Sequence, residues 1–319
     1  MSLKNKNDEI ISETKHICSI CYEDIGNNES CVLECNHVYH KKCIDNMFNF
    51  NMNSCPMCRC YIEGNPVDKF RKCEDYYNSS KNGILTNEYD ILSCLNDLND
   101  LCNNNFVKAY ILLGDMYNDG HFVEMSKSKA IEYYKKAAIE KNNMALYKLG
   151  ILYYELNDKE KSYKYLNVAS ENGFIEAQFK YAIYLVRDIY KNINNDQYTS
   201  KKAFEYLYKS SENNIIDSYI EVANCYYIGI GTEKNIERAS EYYKKAADYG
   251  VIDGLYFTGL FLYLGIGNKK NLNQAKQYFN MVMESDSNHR DTSEILNKIN
   301  KVESYYMLSD EFESMNISE

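Results

Sequence analysis

Between Cys18 and Cys58 the chain carries four short pairs of metal-ligating side chains: Cys18 and Cys21, Cys35 and His37, His40 and Cys43, and Cys55 and Cys58. Three pairs have two intervening residues and the other has one. Zinc takes four sulfur or nitrogen ligands in a tetrahedron, and a CxxC or HxxC turn lets two side chains of one tight loop approach one ion. Four pairs therefore supply two complete zinc sites, although spacing by itself is compatible with several ways of combining them. The pattern spans about 45 residues, a size at which a hydrophobic core alone rarely holds a domain. Bound metal has to supply the difference, about 10–16 kcal/mol for structural zinc in small modules. Loss of one ligand, as in Cys18→Ala or His40→Ala, is expected to unfold the module rather than loosen it.

The order Cys, Cys, Cys, His, His, Cys, Cys, Cys resembles the two-histidine RING finger. That resemblance implies a cross-brace in which Cys18, Cys21, His40 and Cys43 hold one zinc ion, and Cys35, His37, Cys55 and Cys58 hold the second. It also implies a partner, a ubiquitin-conjugating enzyme charged with ubiquitin. Ile20 fills the apolar position inside the first CxxC, and Pro56 follows the seventh ligand. Arg59, directly after the eighth, matches the family's linchpin arginine, whose planar fork bridges two protein surfaces with several hydrogen bonds. Active members often carry tryptophan four residues after the sixth ligand; here that residue is Met47, and the chain has no tryptophan. Methionine, apolar and adaptable, is expected to fill the same shallow partner groove. Ile20, Met47 and Pro56 equally suit the small core of such a module. His16, Cys31 and Cys60 fall outside the pairs and are expected to be bystanders, because eight ligands already fill both sites.

Charge and cysteine usage narrow the remaining classes. The chain has 46 acidic and 36 basic side chains, a formal charge of −10, and each site of three thiolates and one imidazole adds a further negative charge. Such a chain repels a phosphate backbone, so no nucleic-acid partner is expected. Of twelve cysteines, those outside the zinc pattern (Cys31, Cys60, Cys73, Cys94, Cys102 and Cys225) are scattered, and the first residues, MSLKNKNDEIIS, lack an apolar signal segment. A reducing compartment, cytoplasm or nucleus, is expected. The longest apolar run, Leu255 to Ile266, is too short to span a bilayer, so no membrane partner is expected either.

Beyond the zinc pattern the periodicity becomes helical. Pro66 suits the first turn of a helix reaching Tyr77, and Thr86 suits the cap of a second, in which Tyr89, Leu92, Leu95, Leu98 and Cys102 form one apolar face. From Asn105 onward the chain repeats itself. A small residue followed five later by another occurs as Ala109 and Gly114, Ala145 and Gly150, Ala177 and Ala182, Ser218 and Ala223, and Gly254 and Gly259. Each copy has a second half, clearest in KAIEYYKKAA from Lys129 and RASEYYKKAA from Arg238. Its leading small residues, Ala130, Ser162, Ala203, Ala239 and Ala275, are 32, 41, 36 and 36 residues apart. Such a period means a pair of antiparallel helices per copy, with small residues where helices cross and tyrosines such as Tyr133, Tyr134, Tyr242 and Tyr243 filling the space beside them.

These copies resemble the Sel1-like repeat, a relative of the tetratricopeptide repeat; the third departs from it, with a longer loop from Lys191 to Ser200 in place of a glycine turn. The resemblance implies an exposed face that binds another protein. The expected fold is a small zinc-stabilised RING module followed by an all-α helical-repeat solenoid. Residues 1–14 form a flexible leader, 15–62 the zinc finger, 63–104 a helical linker and N-terminal cap, 105–284 five repeats, and 285–319 a capping helix and acidic tail. His121 and His289 have no partner spacing and are expected in solvent-facing loops. Together the two resemblances imply a RING-type ubiquitin ligase, with two structural zinc ions, that recruits a protein substrate or adaptor on its repeats. Nothing resembles the separate domain that a covalent ubiquitin–enzyme intermediate requires. The alternative is a zinc-stabilised interaction scaffold that transfers nothing.

Overall fold

The computed structural model of the chain describes residues 17–25, 30–33, 35–50, 52, 54–60, 62, 65–84, 87–191, 196–267, 269–289 and 291–301. The expected leader, His16 and the acidic tail from Ser309 lie outside the described residues, as does Thr86, expected as a helix cap that Asn87 supplies instead. The chain divides into two compact units, Met1–Tyr165 and Leu166–Glu319.

The N-terminal module is small and held by turns. Ile17 bridges Asp24, strand β1 (Ser30–Val32) pairs antiparallel with β2 (Val38–His40), and helix α1 (Lys41–Asn49) follows at once. Ile44, Met47 and Phe48, spaced three and four apart, give α1 one buried face.

Two longer helices come next. Asn65 caps α2 (Pro66–Lys81) by accepting a bond from Asp68 N, and Pro66 occupies the first helical turn, where its missing N–H costs nothing. The helix runs past the expected Tyr77 to Lys81. Asn87 caps α3 (Glu88–Asn103). The face of α3 that packs is Cys94, Leu98, Leu101 and Cys102, whereas Tyr89 and Leu92, expected on it, are exposed. A stripe at i, i+4, i+7 and i+8 turns those two positions away from the neighbouring helices.

The helix pairs then alternate: α4 (Val107–Asp119) with α5 (Lys127–Ile139), α6 (Asn143–Glu155) with α7 (Lys159–Glu171), α8 (Ile175–Tyr190) with α9 (Gln197–Glu212), α10 (Ile216–Ile228) with α11 (Ile236–Asp248), and α12 (Ile252–Leu264) with α13 (Leu272–Ser285). A further helix covers 291–301. Every second helix has a polar cap: Ser126, Asp158, Asp196, Asn235 and Asn271 each accept from the backbone N–H three residues on. Each pair is entered through a residue with positive φ, namely Asn105, Lys141, Gly173, Asn214 and Gly250. The leading small residues Ala130, Ser162, Ala203, Ala239 and Ala275 are all fully buried. At Gly114 the ring of Tyr134 occupies the place a Cβ would take.

Tyrosines reinforce the pairs. Tyr117 stacks on Tyr133 with centroids 5.6 Å apart and rings 9° from parallel, and Tyr153 stacks on Tyr165 at 5.6 Å and 3°. A lysine covers the first ring of each stack, Lys129 at 4.8 Å and Lys161 at 5.3 Å. In the second unit Tyr226 lies 5.9 Å from Tyr242, and Arg238 sits over the Tyr226 ring and donates to its hydroxyl at 2.8 Å.

Within the first unit one hydrophobic cluster is continuous from the N-terminal module into the repeats. It joins Cys18, Tyr39, Ile44 and Met47 to Phe70 and Cys73 of α2, Leu98 of α3, and Ala109, Leu113 and Met116 of α4. In the second unit Ile299 of the last helix packs on Ala275 and Phe279 of α13. Neither histidine expected in a solvent-facing loop is fully exposed. His121 meets the Tyr77 ring edge-on at 6.1 Å, and His289 lies 4.9 Å from Tyr256 and accepts from Thr292 N at 3.3 Å. Among the described residues no helix is long and apolar enough to cross a membrane.

Candidate metal centre

The two CxxC segments form turns of identical construction. Tyr22 N donates to Cys18 O at 2.7 Å and Arg59 N to Cys55 O at 2.8 Å; Cys18 N donates to Glu23 O at 2.9 Å and Cys55 N to Cys60 O at 2.8 Å. Each turn closes through a residue in the left-handed region, Tyr22 at φ 62° and Arg59 at φ 60°. The turn before β2 uses Asn36 at φ 64° in the same way, bonding Leu33 to His37. The bond back to the first cysteine's carbonyl closes each CxxC loop and brings its two sulfurs to one side, and backbone N–H groups within such a turn favour negative charge there. The remaining pair needs no turn, because His40 is the N-cap of α1 and Cys43 lies in its first turn.

These elements bring the eight side chains together as two sets, Cys18, Cys21, His40 and Cys43, and Cys35, His37, Cys55 and Cys58. Within each set the ligand atoms all lie within 4.8 Å of one another. Edges of a tetrahedron drawn around zinc with its usual sulfur bonds are about 3.8 Å, so both sets fit the ion in size and in donor chemistry. His40 Nδ1 lies 3.2 Å from Cys21 Sγ, while its Nε2 is 3.1 Å from Asp24 O, so a proton on Nε2 donated to that carbonyl makes Nδ1 the metal-facing nitrogen. His37 Nδ1 lies 3.4 Å from Cys35 Sγ and 3.5 Å from Cys55 Sγ.

The thiols of each set divide electrostatically. Burial pushes Cys18 up, but hydrogen bonds from the backbone of Cys21, His40 and Ile20 outweigh it and bring the thiol to about 6. Burial and the neighbouring Cys21 and Cys18 push Cys43 up to about 12. In the other set, burial of Cys55 is outweighed by the Tyr39 hydroxyl and the Cys58 and Met57 backbone, giving about 6, while burial and the Cys55 and Cys58 thiols raise Cys35 to about 11. Three thiols this close cannot ionise together unless a cation takes the place of their protons.

The expected partner-contact residues fare differently. Ile20 is half-buried against the core, and Pro56 and Arg59 are exposed. Met47 is a correction: it is only 3% exposed, because it lies on the buried face of α1 and belongs to the module's core. Apolar surface is offered instead by Phe50, 77% exposed at the C-cap of α1, and by Met57, 60% exposed beside Pro56. The spacing of Met47 from Ile44 already carried the signal for burial. Tyr39, not singled out by the spacing, is fully buried with its hydroxyl 3.1 Å from Cys55 Sγ. Of the cysteines outside the pairs, Cys31 pairs with Tyr39 across the strands and Cys60 is exposed.

Comparison with known proteins finds two families along the chain. Residues 16–59 match the model of the Ring finger domain, and residues 107–142, 143–174, 175–215, 216–250 and 252–281, more than half the chain, match the Sel1 repeat. The N-terminal region is similar to RING-H2 finger protein ATL3 of Arabidopsis thaliana, 32% identical over 81 residues, 24% of this chain and 25% of that protein. The chain thus spans a quarter of that relative's length, and 9% of a RING finger protein from Schizosaccharomyces pombe. The helical part is similar in fold to the c5321 protective antigen of uropathogenic Escherichia coli, which displays an SLR fold, with a TM-score of 0.61 and 22% identity over 70% of this chain and 46% of that one. It is also similar to a Sel1 repeat protein from Oxalobacter formigenes, with a TM-score of 0.55 and 22% identity over 70% of this chain and 63% of that one.

Proposed function

We propose, from the premise that the chain belongs to the Sel1 repeat family and carries a Ring finger domain, that it is a RING-type ubiquitin ligase whose repeats recruit a protein substrate or adaptor. The observation that carries the reading is the pair of four-donor sets within one small module, from which the second CxxC turn presents Arg59 to solvent. Cys18, Cys21, His40 and Cys43 hold one zinc ion, and Cys35, His37, Cys55 and Cys58 the other. Bound zinc supplies the folding free energy that so small a module lacks and fixes both turns.

The chain's own residues then act by position. Ile20, Pro56, Phe50 and Met57 offer apolar surface to the ubiquitin-conjugating enzyme, and Arg59 hydrogen-bonds enzyme and ubiquitin at once. Holding the charged enzyme in one posture lowers the entropic part of the barrier. A substrate lysine, in its neutral form, attacks the thioester carbonyl; the C–N bond forms, the C–S bond breaks, and the conjugating enzyme's cysteine leaves as thiolate while the amine proton passes to a base. No nucleophile from this chain takes part.

The test is conjugate formation by the purified zinc-loaded chain with ubiquitin, activating enzyme, ATP and a panel of conjugating enzymes. Wild type is expected to form conjugates, and Arg59→Ala and His40→Ala to lose most of them. A chain that binds two zinc ions yet gives no conjugates with any enzyme of the panel is instead an interaction scaffold, the reading that a buried Met47 favours.

A further inference from the structure

Strand alternation sends Tyr39 to the opposite side of β2 from Val38 and His40. Its ring points into the core, fully buried, and its hydroxyl ends 3.1 Å from Cys55 Sγ. A buried phenol needs a partner, because an unmet hydroxyl in an apolar interior carries its whole desolvation cost. When Cys55 is bound to a cation its sulfur has no proton, so in that state the hydroxyl is the donor and the sulfur the acceptor.

We propose that Tyr39 is a positioning residue for the second metal site: its hydroxyl donates to the metal-bound sulfur of Cys55 and sets how firmly the Cys35, His37, Cys55 and Cys58 set keeps its ion. The inference rests on the metal reading above. The bond links parts of the chain that spacing does not connect, β2 and the second CxxC turn, sixteen residues apart. It also ties the two sites together mechanically. His40, the next residue in β2, belongs to the other set, so the strand that orients one ligand of the first site carries the hydroxyl that steadies a ligand of the second. An O–H donor to a thiolate withdraws charge from the sulfur and fixes its direction, and partners of this kind typically matter 10–100-fold in metal affinity.

Tyr39→Phe removes the hydroxyl and keeps the ring, so the packing around β2 is retained. In full-length protein loaded with zinc, release into a chromophoric chelator is followed for both ions, and the same protein loaded with cadmium-113 gives an NMR signal for each site, assigned through its cysteine β-protons. The variant is expected to release one ion about tenfold faster, with the cadmium signal coupled to Cys55 displaced and the other signal unmoved. Unchanged release, equal acceleration of both ions, or displacement of both signals overturns the inference while leaving two metal sites in place. Wild type that takes up fewer than two ions overturns the metal reading itself, and this inference with it.

Discussion

Arg59 holds an unusual backbone conformation for a side-chain-bearing residue, and the turn requires it. Its φ of 60° lets its N–H reach Cys55 O at 2.8 Å, in a region where an L residue costs about 1–2 kcal/mol. Glycine would relieve that cost and give back roughly 0.5–1 kcal/mol through the freedom it gains when unfolded. Arg59→Gly should therefore leave the zinc content and melting temperature close to wild type while abolishing conjugate formation. A glycine variant that still transfers ubiquitin would remove Arg59 from the proposed mechanism, whatever its stability. Beside Arg59→Ala, which keeps the Cβ and so the same backbone cost as arginine, the glycine variant separates what the guanidinium does from what the backbone needs.

At the scale of elements, the connection between module and repeats is made by α2 and fastened at one carboxylate. Asp119, the last residue of α4, accepts from the buried Tyr77 hydroxyl at 2.8 Å and from Lys81 Nζ at 2.7 Å, both on α2. Burial works to raise the Asp119 carboxyl, but Lys81, Tyr77 and Asn118 outweigh it and hold it below its ordinary range. Asp119→Ala leaves the Tyr77 hydroxyl buried without an acceptor and should lower the stability of the first unit by about 1–3 kcal/mol, read as an earlier urea midpoint; an unchanged midpoint would show that α2 is held by apolar packing alone. None of this was legible in the sequence, because the three residues are brought together only by folding. What was legible is local: the helix start at Pro66, small residues at helix crossings such as Ala130, and ligand pairs whose chemistry is complete within four residues. Met47 marks the boundary. The family pattern offered it to a partner while its apolar character suited the core, and its place three residues after the buried Ile44 is what puts it on the inner face of α1. Tyr39 was invisible for the opposite reason, since the sulfur it meets lies sixteen residues away and no periodicity connects them.

On the scale of the whole molecule, the first unit matters most because its core has no seam between the metal module and the repeats. The cluster that contains Cys18, Tyr39 and Met47 also contains Phe70, Leu98 and Met116, so unfolding the module exposes apolar surface on α2, α3 and α4. Small modules of this kind lose their structure when their metal is removed, and helices that share a core with them lose part of what opposes local opening. Chelation should therefore raise amide hydrogen exchange beyond residues 17–60, across α2 and α3, while α11 to α13 stay protected, since the Ala247, Leu255 and Val282 cluster and the Ala275, Phe279 and Ile299 cluster lie wholly within the second unit. Exchange that rises only in 17–60 would mean that α2 to α4 stand alone and the module is an appendage. For the proposed ligase the two outcomes differ in reach. A module continuous with α2 to α4 presents a charged conjugating enzyme from a fixed place relative to the first repeat, and so favours few substrate lysines over many.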